Sequence, residues 1–294
     1  MVIQTDDAGG VFYSNGGETG QLYNDAGFSD PVTSDGTINQ NVFFKLSPES
    51  YQEASWNNST KKVDYTWVIP DNYTLVSSSE DAVDWNGGTY VVKSNVFIGD
   101  DLEHNDNLTL NNDVNLILCD GATLIVNGGI NANGNSLTIY SQSQGDGAGN
   151  LCVVSNVDGL TNFSDLTIHG GNIRVESEKD GINEASVTVY GGKLSVTSGG
   201  SAINTYGNDM NVYGGEVNAI SSKEAGINLG TLTVYGGKVT AEGFPAIEGK
   251  FKAGTENVHF YERNNTTSEW ETIDITSTPP RDTSNKRYFC ADIQ

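Results

Sequence analysis

The chain has little positive charge. Lys and Arg number 15 against 38 Asp and Glu over 294 residues, a net charge of −23. A surface of that sign repels phosphate backbones and anionic bilayers, which excludes nucleic acid and membrane surfaces as partners. It suits a soluble, non-sticking protein outside the cell or at its surface. No run of about 18 apolar residues occurs, so no membrane insertion is expected. The opening Met1-Val-Ile-Gln runs at once into acidic and glycine residues, unlike a secretion signal. Cysteine is scarce at three, and the odd count leaves at least one thiol outside any disulfide. No Cys/His cluster has zinc spacing. No amphipathic pattern of period 3.6 is present, which excludes a helical solenoid.

Glycine is abundant, at 35 residues, and it recurs in register. Four segments repeat one phrase: LTIHGGNIRV, VTVYGGKLSV, MNVYGGEVNA and LTVYGGKVTA. Their anchors are His169, Tyr190, Tyr213 and Tyr235, giving steps of 21, 23 and 22 residues. NLILCDGATL at Cys119 and SLTIYSQSQG at Tyr140 extend the series, and the loop QSQGDGAG absorbs a longer step. Within a unit, Val187 and Val189 alternate with Thr188 and Tyr190, as in a strand with one buried face. Gly191-Gly192 is a corner, because glycine accepts positive φ. Leu194 and Val196 then point inward. A third short strand is expected at Ile203 and its counterparts Ile182, Ile227 and Ile247.

Three strands and three corners in about 22 residues make one coil of a parallel β-helix, all-β in class. Right-handed winding is expected from the usual hand of parallel crossovers. Stacking predicts inward columns Ile168, Val189, Val212, Val234 and Ile173, Leu194, Val217, Val239. Asn172, Lys193, Glu216 and Lys238 form an outward column. Cys119 is placed in the column later held by Tyr140, and Cys152 on a different strand, so no disulfide joins them.

Residues 1–75 lack the repeat and read as an N-terminal cap, with Ser47-Pro48-Glu49 starting a short helix that runs to Trp56. Strands begin near Gly88. Residues 76–262 carry about seven coils, the last at VHFYERN near Phe260. Residues 263–294 read as a C-terminal cap, the whole forming one structural domain.

The phrases Leu116–Leu124, Gly129-Ile130 and Leu137–Gln142, followed by the Tyr-Gly-Gly coils, resemble the secreted or cell-surface β-helix proteins of gut bacteria, described as carbohydrate-binding or adhesin-like. The resemblance spans roughly residues 75–260. It implies a right-handed β-helix like that of pectate lyases and, loosely, a polysaccharide or surface glycan as partner.

Catalytic chemistry on such a scaffold needs acids on neighbouring coils. The outward columns Thr167, Thr188, Asn211, Thr233; Arg174, Ser195, Asn218, Thr240; and Glu176, Thr197, Ile220, Glu242 hold none on adjacent coils. Asp165 and Asp209 lie two coils apart, about 9.6 Å by strand spacing, with Ser186 between. The expected function is therefore non-enzymatic binding of glycan or a host surface. A polysaccharide lyase or glycoside hydrolase with a loop-borne site, and a structural stalk or surface-layer module, are the alternatives. The binding candidates are the aromatics Tyr140, His169, Tyr190, Tyr213 and Tyr235, whose faces suit sugar rings. Mutual stacking that merely shields the corner is the competing reading. No cofactor is required, but Asp100, Asp101, Glu103 and Asp106 offer oxygen ligands to Ca²⁺, with a solvated acidic loop as the alternative. Oligomeric state is left open by the sequence.

Overall fold

The computed structural model describes residues 49–77, 83–99, 108–183, 186–273 and 287–293, together with the backbone of four earlier strands. Those four, Val2–Thr5, Val11–Asn15, Glu18–Tyr23 and Phe43–Lys45, form an antiparallel sheet. Among the described residues every regular element is a strand. Apart from one hairpin and the C-terminal strands, the rest is a parallel β-helix whose coils recur about every 22 residues.

Each coil has three faces. Short strands such as Ile182–Asn183 and Ile203–Asn204 form the short-strand face. Strands such as Leu137–Ser141, Asp165–Ile168 and Ser186–Val189 form the tyrosine face. Strands such as Asn150–Ser155, Asn172–Ser177 and Lys193–Ser198 form the open face. Register follows the expected columns. Ile168 pairs with Val189, Val189 with Val212 and Val212 with Val234, all parallel. Ile173, Leu194, Val217 and Val239 stack likewise on the open face. Ile182, Ile203, Ile227 and Ile247 complete the core from the short-strand face. These side chains are almost wholly excluded from solvent, and their burial is the main force holding the coils together.

The Gly-Gly corners need both glycines, for different reasons. The second of each pair has positive φ, 73° at Gly192 and 75° at Gly215, where a Cβ is strained. The first packs against the coil below: a Cβ on Gly191 would lie 2.9 Å from the His169 carbonyl oxygen.

Four expectations are corrected. Tyr51–Asn57 is a strand, paired antiparallel with Lys62–Val68 in a hairpin, where a helix was expected. Strands begin before Gly88: Thr74–Val76 pairs parallel with Gly88–Val92, and Val83–Trp85 pairs parallel with Leu108–Leu110. The register partner of Tyr140 is Ile117, two residues before Cys119. Val258–Arg263 is not a coil, because it pairs antiparallel with Tyr288–Ile293. That last strand also pairs antiparallel with Lys238–Glu242, so it ends the parallel stack. Phe251, Phe260 and Phe289, with ring centroids 5.0–5.8 Å apart, plug the core at this end.

The three cysteines form no disulfide. Burial pushes the Cys119 thiol up to about 11. No helix among the described residues is long and apolar enough to cross a membrane.

Candidate functional site

The aromatic column is continuous. Tyr140, His169, Tyr190, Tyr213 and Tyr235 lie face to face, with successive centroids 4.6, 5.1, 4.8 and 4.4 Å apart. The planes differ by only 8–16°. Parallel coils set this spacing, since equivalent residues repeat at about 4.8 Å. The faces are therefore turned to one another rather than to solvent. Interior rings of such a stack present edges, not platforms.

The hairpin closes the column from outside. Gln52, Ala54 and Trp56 alternate toward it, while Glu53 and Ser55 are exposed. Tyr51 tilts on Tyr140 at 4.4 Å, and Trp56 lies 5.4 Å from Tyr213 and 5.5 Å from Tyr235. Five residue steps of strand cover about 17 Å, which matches three to four coil spacings. The hairpin thus runs across the coils. Between its ends, the Ala54 amide donates to His169 Nδ1 at 2.9 Å. His169 is 7% exposed, and burial drops its pKa to about 4, so it is neutral and able to accept. Burial likewise raises the Tyr140 phenol and takes that of Tyr213 up to about 12.

The loop after Ser141 ties hairpin to coils. Gln144 Nε2 donates to Gln52 Oε1 at 3.2 Å and to the His169 carbonyl at 3.3 Å. Its Oε1 accepts from the Gly192 amide at 3.0 Å. The same loop overhangs the open face. Asn172 Nδ2 donates at 3.4 Å to the carbonyls of Gly145 and Ala148, which fixes the overhang.

Beneath it lies a groove lined by Asp146, Asn150, Asn172, Arg174, Lys193 and Ser195. These residues come from adjacent coils: Asn150, Asn172 and Lys193 share one column, and Cys152, Arg174 and Ser195 the next. Arg174 pairs with Glu176, and Lys193 with Glu216 at 3.6 Å. Each strand thus presents its own polar side chains at one strand spacing: Asn150, then Asn172 and Arg174, then Lys193 and Ser195. Such a surface can hydrogen-bond a hydroxyl-rich chain laid across the strands. Sequence reading identified these columns but saw no site in them, because the roof is a loop outside the repeat.

The structure also sets two acids on adjacent coils, outside the outward columns read from the sequence. The Asp180 amide donates to Asp158 Oδ1 at 3.0 Å. Asp180 in turn accepts from the Ser201 amide at 2.8 Å and from Asn204 Nδ2 at 2.9 Å. Burial, above all, raises the Asp180 pKa. These carboxylates fasten a corner. The pairs Asp158-Gly159 and Asp180-Gly181 were the signal in the sequence. Among the described residues no group of three or more His, Cys, Asp or Glu could hold a metal ion. Asp100, Asp101, Glu103 and Asp106, the expected Ca²⁺ ligands, lie outside the described residues.

No curated protein and no solved structure matches the chain significantly. One family model, described as carbohydrate-binding domain-containing protein, matches residues 108–269. That segment is more than half of the 294 residues and holds the aromatic column, the roof loop and the groove. With a coiled β scaffold and a polar groove inside the matched segment, the chain belongs to the carbohydrate-binding domain-containing protein family.

Proposed function

We propose that this carbohydrate-binding β-helix is a non-enzymatic extracellular protein that holds a polysaccharide or host-surface glycan on its open face. The observation that carries the reading is the roofed groove, with polar side chains repeated on adjacent coils. Strand spacing of about 4.8 Å sets those groups at intervals close to one pyranose unit. The aromatic column supports the scaffold instead, since its ring faces are occupied.

The adhesin role and the extracellular setting are part of the proposal and draw support from the acidic surface. A net charge of −23 repels anionic glycans, so their binding would need Ca²⁺ as a bridge. A glycan array, run with Ca²⁺ and with chelator, tests the reading. Arg174→Ala and Asn172→Ala should each weaken the strongest hit by about three- to tenfold, the loss of one or two hydrogen bonds. Unchanged affinity in both variants would remove the groove. Release of unsaturated, ultraviolet-absorbing products from a uronate polymer would overturn the non-enzymatic reading.

A further inference from the structure

The C-terminal end of the open face carries a second small groove, lined by Tyr261, Trp270, Cys290 and Asp292. Trp270 is 42% exposed, a large apolar cost for a surface side chain. It is held in place. The Arg263 guanidinium stacks on the indole, 4.4 Å from its centroid, and lies 4.9 Å from the Tyr288 ring. Arg263 Nη1 donates to the Thr266 carbonyl at 3.1 Å, and Asn265 Oδ1 accepts from the amides of Thr267 and Ser268 at 2.9 Å. The ring is a preorganised platform on a fastened turn.

We propose that this groove binds one uncharged pyranose unit, at a site separate from the roofed groove. The aromatic rings of Tyr261 and Trp270 suit the apolar C–H face of a sugar. Asp292 uses Oδ1 to accept from the Ile293 amide at 2.8 Å, and its other oxygen accepts a sugar hydroxyl. The Asp292 and Glu271 carboxylates are balanced by Arg263 on the indole and by Lys238 near Cys290, so no net positive charge draws in uronates or sulfated sugars. With no net charge at the site to hold an anion, an uncharged sugar fits it. The groove continues the open face: Cys290 pairs with Thr240, whose column runs back through Asn218 to Ser195. Ser195 and Cys290 are three strand spacings apart, about 14 Å, so one oligosaccharide can touch both grooves. Trp270 lies one residue past the matched family segment, so family membership does not assign this site. The ligand class rests on the carbohydrate reading, but the residues are different ones.

The test is calorimetry and tryptophan fluorescence with a neutral mannopentaose, a neutral cellopentaose and a galacturonate pentasaccharide. The proteins are the full chain and its Trp270→Ala, Trp270→Phe, Asp292→Asn and Arg174→Ala variants, each checked by thermal melting. A neutral pentasaccharide should bind and perturb the fluorescence. Trp270→Ala should weaken it about three- to tenfold, the worth of one ring contact, while Trp270→Phe retains most affinity. Asp292→Asn, which removes the charged acceptor of the sugar hydroxyl, should weaken neutral binding about three- to tenfold and improve galacturonate binding. If Trp270→Ala and Trp270→Phe both bind as wild type while Arg174→Ala loses affinity, this site falls and the roofed groove stands. If Trp270→Ala alone loses binding and Arg174→Ala does not, the roofed groove falls and this site stands. If no neutral pentasaccharide binds, this site is overturned.

Discussion

His169 is the one ring in the column that titrates near neutrality, and its place decides which way. Above pH 6.5, its ordinary value, it is neutral whether the chain is folded or not. Between pH 6.5 and about 4 the unfolded chain takes up a proton that the folded site refuses. Stability therefore falls as pH falls through this window, by about 3 kcal/mol in all. His169→Tyr, the residue used elsewhere in the column, loses the acceptor for the Ala54 amide but should flatten that part of the dependence. Denaturant titrations at pH 7 and pH 4.5 would read the difference. Equal slopes in both proteins would place His169 in water. Tyr213 sits between Tyr190 and Tyr235 and against Trp56. Tyr213→Ala should lower stability by about 2–4 kcal/mol and leave glycan affinity unchanged. An unchanged melting temperature would show that the stack contributes nothing.

At the scale of elements, the last strand does two tasks. Tyr288–Ile293 covers the edge of Lys238–Glu242 and supplies Phe289 to the aromatic plug. An uncovered edge of a parallel sheet recruits other chains. Ending the chain at Arg287 should therefore give oligomers by light scattering, and a monodisperse monomer would contradict this. Alternation of period two does not encode strand direction, which is why Val258–Arg263 read as another coil. The inward columns were legible because stacking demands the same alternation in every unit, as Val189, Val212 and Val234 show. The hairpin was not, since it stands outside the repeat. Ser47-Pro48 suits a helix start and a turn into a strand equally well, and only the inward set Gln52, Ala54 and Trp56 tells them apart. The glycine pairs pointed to corners but not to the loop that roofs the groove. The aromatic column was legible as a column; whether its faces opened outward depended on Tyr51 and Trp56, far away in sequence.

At the scale of the molecule, and among the described residues, one side of the coils is covered by the hairpin and the other carries the groove. The hairpin occupies the tyrosine face, and the groove proposed to hold glycan lies on the open face. Charges alternate there: Arg174 and Lys193 stand on adjacent coils, each paired with an acid, and Glu216 separates Lys193 from Lys238. A solenoid whose units touch only their neighbours peels apart one turn at a time when tension is applied to its ends. Here the hairpin acts as a brace bolted across several turns, from Tyr51 on Tyr140 to Trp56 on Tyr235. Load on any turn within that span is shared by all of them. Pulling the chain by its ends in an optical trap should give one large rupture for the braced turns, and Trp56→Ala should break it into smaller steps. A staircase of equal small steps in the unaltered chain would mean that the brace carries no load.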